Sequence, residues 1–251
     1  MQCLYALDFD GVICDSAVET GITGWKAASV LWEDMADKQP EETVLSAFRH
    51  VRPALETGYE AILIMRLLCQ GMDAHYLLNN YTACLESLVH DESLDVNALK
   101  RLFGEIRDIW IDNDYQQWMQ MNPLFPGVAE KLKKLPASAK WYIVTTKQER
   151  FVKHILKANQ IELPEQFIFG LDRAMRKSDV LSQLQNAHPL QVICFIEDRL
   201  PALEEVVQRE ELRKIRLYLA NWGYNTEQDR QAASHYPISV INVNQFLELE
   251  N

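Results

Sequence analysis

The chain has 251 residues, of which 48% are hydrophobic and 24% are charged. These fractions are close to the average for globular proteins and exclude the collagen-like and intrinsically disordered classes. The 36 acidic and 25 basic side chains give a net charge of −11, and the sequence has no block of lysines or arginines. We therefore expect neither a nucleic-acid-binding surface nor attachment to an anionic membrane.

Three features of the sequence predict a cytoplasmic protein. The longest apolar run, 61–65, ends at Arg66 and is far shorter than the ~18 residues of a membrane-spanning helix. The N-terminal stretch meets an acid at Asp8 and has no basic segment, unlike a signal peptide. An odd number of cysteines with no CxxC pair and no export signal indicates reduced, mostly buried thiols. They are Cys3, Cys14, Cys69, Cys84 and Cys194.

The first predicted element is a short, dense apolar run at 3–7. Runs of the same kind recur at 141–144, 167–170, 192–196, 215–219 and 238–243, and most are separated by segments with helical spacing. Continuous apolar runs that alternate with helices indicate strands buried on both faces of a doubly wound parallel sheet. The predicted fold class is therefore α/β, with a Rossmann-like core.

Residues 17–122, between the first and second runs, have a helical pattern. One apolar stripe consists of Leu99, Leu102, Phe103, Ile106, Ile109 and Trp110. The residues that follow the first two runs, Asp8 and Thr145, are 137 positions apart, whereas a strand–helix–strand unit needs only about 30 residues. We therefore predict a sheet domain at 1–16 and 123–251, and an all-helical domain inserted at 17–122.

Polar side chains follow the predicted strands at the edge where parallel sheets bind their ligands. Carboxylates gathered at such an edge repel one another, so a group of them usually holds a hard divalent cation through its oxygen atoms. The polar residues at the strand ends are Asp8 and Asp10 after the first strand, Thr145 and Thr146 after the second, Lys177 before the fourth, and Glu197 and Asp198 at the end of the fourth. Of these, three carboxylates, a hydroxyl and a lysine are expected to converge.

This pattern resembles the haloacid dehalogenase-like hydrolases, which are mostly Mg²⁺-dependent phosphatases. The helical insertion directly after the first motif is similar to the cap of the phosphoglycolate phosphatase-like branch, and the stretches 124–128 and 222–224 also look like that branch. The four motifs of the family are matched by Asp8-Phe9-Asp10-Gly11-Val12, by Thr145, by Lys177 and by Glu197-Asp198.

The resemblance implies a role for each of these residues. Asp8 would attack phosphorus and form an aspartyl phosphate, which divides the hydrolysis into two steps. Asp10 would protonate the leaving oxygen and then deprotonate the attacking water. Mg²⁺ would bind between Asp8, the backbone carbonyl of Asp10, and Asp198. The other implied roles are phosphate binding by Thr145, Thr146 and Lys177, and an outer, water-mediated contact to the metal by Glu197.

One position departs from the pattern of the family. Many members carry a second acid four or five residues after the aspartate of the fourth motif, where this chain has Ala202 and Leu203. That departure keeps a non-catalytic binding or regulatory protein open, and a phosphomutase of similar fold also stays open beside the phosphatase. A dehalogenase is disfavoured, because Asp10 and Asp198 suit phosphoryl transfer. The predicted partner is a small phosphorylated metabolite.

Overall fold

The computed structural model describes residues 3–36, 38–135 and 141–249. The chain divides into two compact units, with boundaries between Asp15 and Ser16 and between Asn122 and Pro123. The two outer segments together form the sheet unit, and the intervening segment forms the helical unit. The roles of these units as catalytic core and cap stay predictions.

The described part of the sheet unit contains six strands in one parallel sheet. Their order across the sheet is β3-β2-β1-β4-β5-β6, which is the Rossmann-type order, and the predicted α/β class is confirmed. The central strands are covered on both faces, which explains why their sequences are continuous apolar runs. The strands are β1 (Cys3–Leu7), β2 (Trp141–Val144), β3 (Ile168–Phe169), β4 (Val192–Glu197), β5 (Arg216–Ala220) and β6 (Ile238–Ile241).

The register of the central strands brings their carboxyl ends to one level. Leu7, the last residue of β1, pairs with Ile143 of β2 on one side and with Ile196 of β4 on the other. The strand order reverses between β1 and β4, and such a switch point opens a crevice at the carboxyl edge where ligands bind. Residues that follow β1, β2 and β4 therefore meet there.

The helical unit has helices and no strand among its described residues. Its core contains large apolar side chains such as Phe48, Ile62, Met65 and Phe103, each at most 4% exposed. No described helix is both long enough and apolar enough to cross a membrane. The helices are α1 (Ala17–Leu31), α2 (Glu42–Val51), α3 (Glu60–Cys69), α4 (Ala74–Asn79), α5 (Tyr81–Asp91), α6 (Val96–Asn113) and α7 (Tyr115–Gln120).

The predicted apolar stripe of α6 faces this core over most of its length. Leu99, Phe103 and Trp110 are buried, but Ile109 is 54% exposed. At 100° per residue, Ile109 lies about 60° from the centre of the six-residue stripe, and so at its margin. Arg107 lies about 40° beyond the opposite margin. It is buried nevertheless, because its guanidinium pairs with the carboxylate of Glu19 inside the unit.

In the sheet unit, the described helices connect the strands and cover the sheet. Val180, Leu181 and Leu203 of these helices pack with Phe195 of β4 in one apolar cluster. Helices α12 and α13 each begin with a capping box, formed by Thr226 with Asp229 and by Asn242 with Gln245. The helices are α8 (Val128–Lys134), α9 (Glu149–Ala158), α10 (Lys177–Ala187), α11 (Leu200–Val207), α12 (Glu227–Ala232) and α13 (Val243–Glu248).

The cysteines correct one prediction from the sequence. Cys3 of β1 and Cys194 of β4 form a disulfide, with a Cα–Cα distance of 6.3 Å. The expectation of reduced thiols is therefore wrong for this pair, since the two cysteines are 191 positions apart and become neighbours only when β1 and β4 pair. Cys14, Cys69 and Cys84 take no part in a disulfide among the described residues, and Cys14 is buried.

Candidate active site

Asp8 and Asp198 lie beside each other at the switch point of the sheet. The backbone N–H of Asp8 donates to the carbonyl of Ile196 at 2.9 Å, so the pairing of β1 with β4 continues one residue past the strand. Glu197 ends β4, and Asp198 follows it. All three acids are at most 5% exposed. Strand pairing therefore holds three carboxylates at one buried edge.

These three acids form a compact cluster with one largely buried lysine, whose side chain is 14% exposed. One carboxylate oxygen from each of Asp8, Glu197 and Asp198 lies within 4.8 Å of the other two. The Lys177 ammonium is 3.0 Å from Oδ1 of Asp8 and 2.6 Å from Oε2 of Glu197. The cluster thus contains three acidic groups and a single basic one, in a place where water screens little.

Burial and mutual repulsion change the acidity of the cluster. Burial, followed by the charge of Glu197, raises the pKa of Asp8 from 3.8 to about 7, although Lys177 acts against both. Burial alone would lower the pKa of Lys177, but the carboxylates of Asp8 and Glu197 outweigh it and raise that pKa above its ordinary value. Lys177 therefore stays charged and partly compensates the excess of acids.

Glu197 holds Lys177 in place. Its Oε2 accepts from the Lys177 ammonium, and its Oε1 accepts from the backbone N–H of Arg199 at 3.1 Å. Lys177 begins helix α10, so this contact ties the start of that helix to the end of β4. Both oxygens of Glu197 thus contact donors of the protein, and the predicted water-mediated contact to a metal stays a prediction.

Asp10 has a basic partner, Lys147, for which the sequence predicted no role. The Lys147 ammonium lies 3.0 Å from Oδ1 of Asp10, and the Lys147 side chain is only 1% exposed. Lys147 follows β2 in the stretch Thr145-Thr146-Lys147, at the same edge as the predicted phosphate-binding residues. The position of Lys147 after a buried strand could have indicated a site residue. Its pairing with Asp10 could not be predicted, because the two residues are 137 positions apart.

The predicted hydroxyl groups follow β2 directly. Thr145 is buried, and its backbone N–H donates to the carbonyl of Phe169, so β2 and β3 stay paired up to this point. Its Oγ1 accepts from the backbone N–H of Lys147 at 3.1 Å, which uses a lone pair and not the hydroxyl proton. Thr146 is partly exposed. Phosphate binding by Thr145, Thr146 and Lys177 remains a prediction.

The residues at this edge fit a divalent cation. The donor set is made of carboxylate oxygens, which hard cations such as Mg²⁺ prefer, and the buried excess of negative charge favours a cation there. Gly11, at φ +89°, brings its backbone against Asp198, and a Cβ at that position would overlap the Asp198 carboxylate. A residue with a side chain would thus displace the predicted ligand.

No protein-family model matches the chain, and no curated protein matches it. Solved structures match over nearly the whole length. One, described as a predicted phosphoglycolate phosphatase from Haemophilus somnus 129PT, has a TM-score of 0.60 at 15% identity, over 98% of this chain and 97% of that one.

Two other solved structures carry related descriptions. A haloacid dehalogenase-like family hydrolase from Streptococcus pneumoniae has a TM-score of 0.56 at 18% identity, over 98% of this chain and 97% of its own. A predicted phosphatase from Clostridium acetobutylicum has a TM-score of 0.55 at 18% identity, over 99% and 98%. At these identities the comparisons establish the fold, and the chain has the fold of the haloacid dehalogenase-like hydrolases, as its motifs predicted.

Proposed function

We propose that the protein is a Mg²⁺-dependent phosphatase that hydrolyses phosphate monoesters of a small metabolite. The observation that carries the proposal is the pair of buried aspartates, Asp8 and Asp198, with Lys177 beside them at the switch point of the sheet. A carboxylate with a strongly shifted pKa beside a lysine in such a crevice is typical of a catalytic site. The names of the structural neighbours, which include phosphatases, agree with this chemistry.

In the first step, the Asp8 carboxylate attacks the phosphorus atom of the ester. A P–O bond to Asp8 forms, the P–O bond to the leaving alkoxide breaks, and Asp10 gives its proton to that alkoxide. The Lys177 ammonium, 3.0 Å from Asp8, offsets the repulsion between the carboxylate and the phosphoryl group. The hydroxyls of Thr145 and Thr146 donate to phosphoryl oxygens.

In the second step, water hydrolyses the aspartyl phosphate. Asp10, now ionised, takes a proton from the water as the water attacks phosphorus, and the P–O bond to Asp8 breaks. Inorganic phosphate leaves, and the Asp8 carboxylate is restored. The Lys147 ammonium, 3.0 Å from Asp10, keeps this carboxylate at the edge of the sheet between the two steps.

Asp8, Asp198 and the backbone carbonyl of Asp10 would hold the Mg²⁺ ion. When bound, the ion supplies positive charge that polarises the phosphoryl oxygens and reduces their repulsion of the nucleophile. Hydrolysis therefore requires both the aspartates and the metal.

A phosphatase assay with p-nitrophenyl phosphate tests the proposal. We expect turnover with Mg²⁺, no turnover after complete chelation, and recovery when Mg²⁺ is added back. Asp198→Asn should lose activity at ordinary Mg²⁺ concentrations. Asp112→Asn, the same chemical change at an exposed position of α6, is the matched control and should behave like the wild type. Activity that survives chelation, or a wild type without activity on a panel of phosphorylated metabolites, would contradict the proposal.

The cytoplasm stays the proposed compartment. The Cys3–Cys194 disulfide weighs against this location, because cytosolic reductants keep most thiols reduced. Cell fractionation followed by immunodetection should find the protein in the cytosolic fraction. Recovery of the protein from an oxidising compartment alone would contradict the proposed location.

A further inference from the structure

The loop between β5 and α12, residues 222–225, packs directly against Asp198. The backbone N–H of Tyr224 donates to Oδ2 of Asp198 at 2.6 Å. The side-chain amide of Asn225 donates to the backbone carbonyl of Asp198 at 3.0 Å and to that of Ala220 at 2.8 Å. The loop therefore contacts both the carboxylate and the main chain of this residue.

Asn225 is itself held by a charged side chain. Nη1 of Arg230, on helix α12, donates to the side-chain oxygen of Asn225 at 2.8 Å and to its backbone carbonyl at 3.1 Å. The Asn225 amide group thus has its donor side on Asp198 and Ala220 and its acceptor side on Arg230. With both sides engaged, the side chain has one orientation.

The same loop also contacts the segment that follows β1. The Trp222 indole N–H donates to the carbonyl of Val12 at 3.2 Å, and the Tyr224 hydroxyl donates to Oδ1 of Asp15 at 2.9 Å. Gly223 lies so close that a Cβ there would overlap the carbonyl oxygen of Gly11 and the Cβ of Asp198. The loop thus sets the distance between the segments after β1 and β4, which carry Asp8 and Asp198.

We propose that Asn225 is a positioning residue for divalent-cation binding, acting through Asp198. The inference rests on the metal site of the proposed function and adds a determinant of metal affinity that is not a ligand. A carboxylate and main chain held from two sides bind a cation with less loss of conformational freedom than a mobile side chain does. Residues that orient metal ligands typically account for about 10–100-fold in affinity.

The test is calorimetric titration of the whole, metal-free protein with Mg²⁺ alone. Asn225→Ala should raise the Mg²⁺ dissociation constant by about 10–100-fold. Arg230→Met should also raise the dissociation constant, but by less, because Asn225 stays and only loses the donor that orients it. Asn221→Ala, the same substitution at an exposed position four residues earlier, should bind Mg²⁺ like the wild type.

A second measurement separates positioning from a merely structural role. The unfolding temperature of each variant is recorded in a chelator, where no metal contributes. A structural role would lower this temperature and leave the Mg²⁺ dissociation constant unchanged, and that result would overturn the proposal. If Asn225→Ala does not fold, Arg230→Met decides in the same way, and an unchanged dissociation constant in Arg230→Met overturns the proposal.

The failure of this inference differs from the failure of the proposed function. A wild type that binds Mg²⁺ but does not hydrolyse p-nitrophenyl phosphate or any phosphorylated metabolite contradicts the phosphatase and leaves the calorimetric comparison intact. A wild type that is active, with equal Mg²⁺ affinity in Asn225→Ala, contradicts only the positioning role. A wild type that binds no Mg²⁺ contradicts both.

Discussion

Buried charges occur in both units, but they are arranged differently. In the helical unit, Glu19 and Arg107 form a pair with one charge of each sign and two parallel contacts of 2.7 Å. Oε1 of Glu19 also accepts from the Thr23 hydroxyl and from the Trp118 indole N–H. In the sheet unit, three acids lie together, and the Lys177 ammonium contacts two of them, Asp8 and Glu197.

The difference distinguishes a structural ion pair from a site kept for chemistry. A balanced, bidentate pair satisfies both partners, and it is costly only when one partner is removed. The unbalanced cluster opposes folding, as the raised pKa of Asp8 indicates, and such groups persist mainly where they have a function. Removing Glu19 should therefore destabilise the helical unit. Removing Asp8 should instead abolish activity without destabilising the sheet unit.

The largest expected effect is the loss of activity in Asp8→Asn. The amide keeps the shape of the carboxylate but cannot form the phosphoenzyme, so turnover should fall by about 10⁴-fold or more, as is usual when a nucleophile is removed. Steady-state assays and phosphoenzyme trapping measure this loss. The unfolding temperature in a chelator should not fall. A loss of stability as large as that in Glu19→Gln would show that the two sites have the same structural role.

Asp10→Asn should have a smaller and selective effect. It removes proton transfer, worth typically 10²–10⁴-fold, and keeps the nucleophile. The loss should be greater with an alkyl phosphate, whose leaving group needs a proton, than with p-nitrophenyl phosphate. The measurement is the ratio of kcat/KM for the two esters in wild type and variant. An equal loss on both, with chemistry rate-limiting, would exclude Asp10 as the general acid.

Glu19→Gln should lower the free energy of unfolding of the helical unit by about 3–5 kcal/mol, since it leaves the buried Arg107 without its counter-charge. Adding Arg107→Met should recover part of the loss by removing that charge. Urea unfolding followed by circular dichroism measures both. The control is Asp34→Asn, which removes an exposed carboxylate from Arg66 and should change stability little. A small effect of Glu19→Gln would mean that the pair is not structural.

The smallest expected effect is a pH dependence of stability in the metal-free protein. The folded state holds a proton on Asp8 up to about pH 7, whereas the unfolded state releases it near pH 3.8. The contribution of Asp8 to the free energy of unfolding therefore falls as pH rises through this window. Lys177 is charged in both states there and adds no slope.

Urea unfolding at pH 5 and pH 8 in a chelator measures this dependence. Between pH 5 and pH 8, the free energy of unfolding of the wild type should fall by at least about 1.4 kcal/mol more than that of Asp8→Asn. This difference corresponds to one pKa unit. Asp112→Asn should retain the wild-type difference. The same difference in Asp8→Asn as in the wild type would show that Asp8 is ionised in the folded, metal-free protein.

The sequence predicted elements best where local pattern and burial agree. The runs at 3–7 and 141–144 have the bounds of β1 and β2, whereas the run predicted at 167–170 is a strand only at Ile168–Phe169. That strand lies at the margin of the sheet and pairs on one side only, so fewer of its residues are held in the ladder. The order of the strands explains why Asp8, Lys177, Glu197 and Asp198 meet as expected.

Long-range pairings were outside the reach of sequence patterns. The Lys147 contact with Asp10, the Cys3–Cys194 disulfide and the Glu19–Arg107 pair join residues 137, 191 and 88 positions apart. In each pair, the residue type alone does not predict a buried partner. Lysines and arginines are more often solvated, and cysteines in a chain with no export signal are more often unpaired. The stretch 222–224 resembles the phosphoglycolate phosphatase-like branch, but its contacts with Asp198 and Gly11 depend on how three strand ends meet.

By itself, the sequence determined the alternation of strands and helices, the helical insertion and the candidate residues at the strand ends. These follow from apolar periodicity and from chain length, which act over a few residues or through simple geometry. Only the tertiary structure decided which charges became partners and how the residues around Asp198 hold it. Partner choice depends on which buried groups come within a few ångströms of each other, and that is set by strand order and packing across the whole unit.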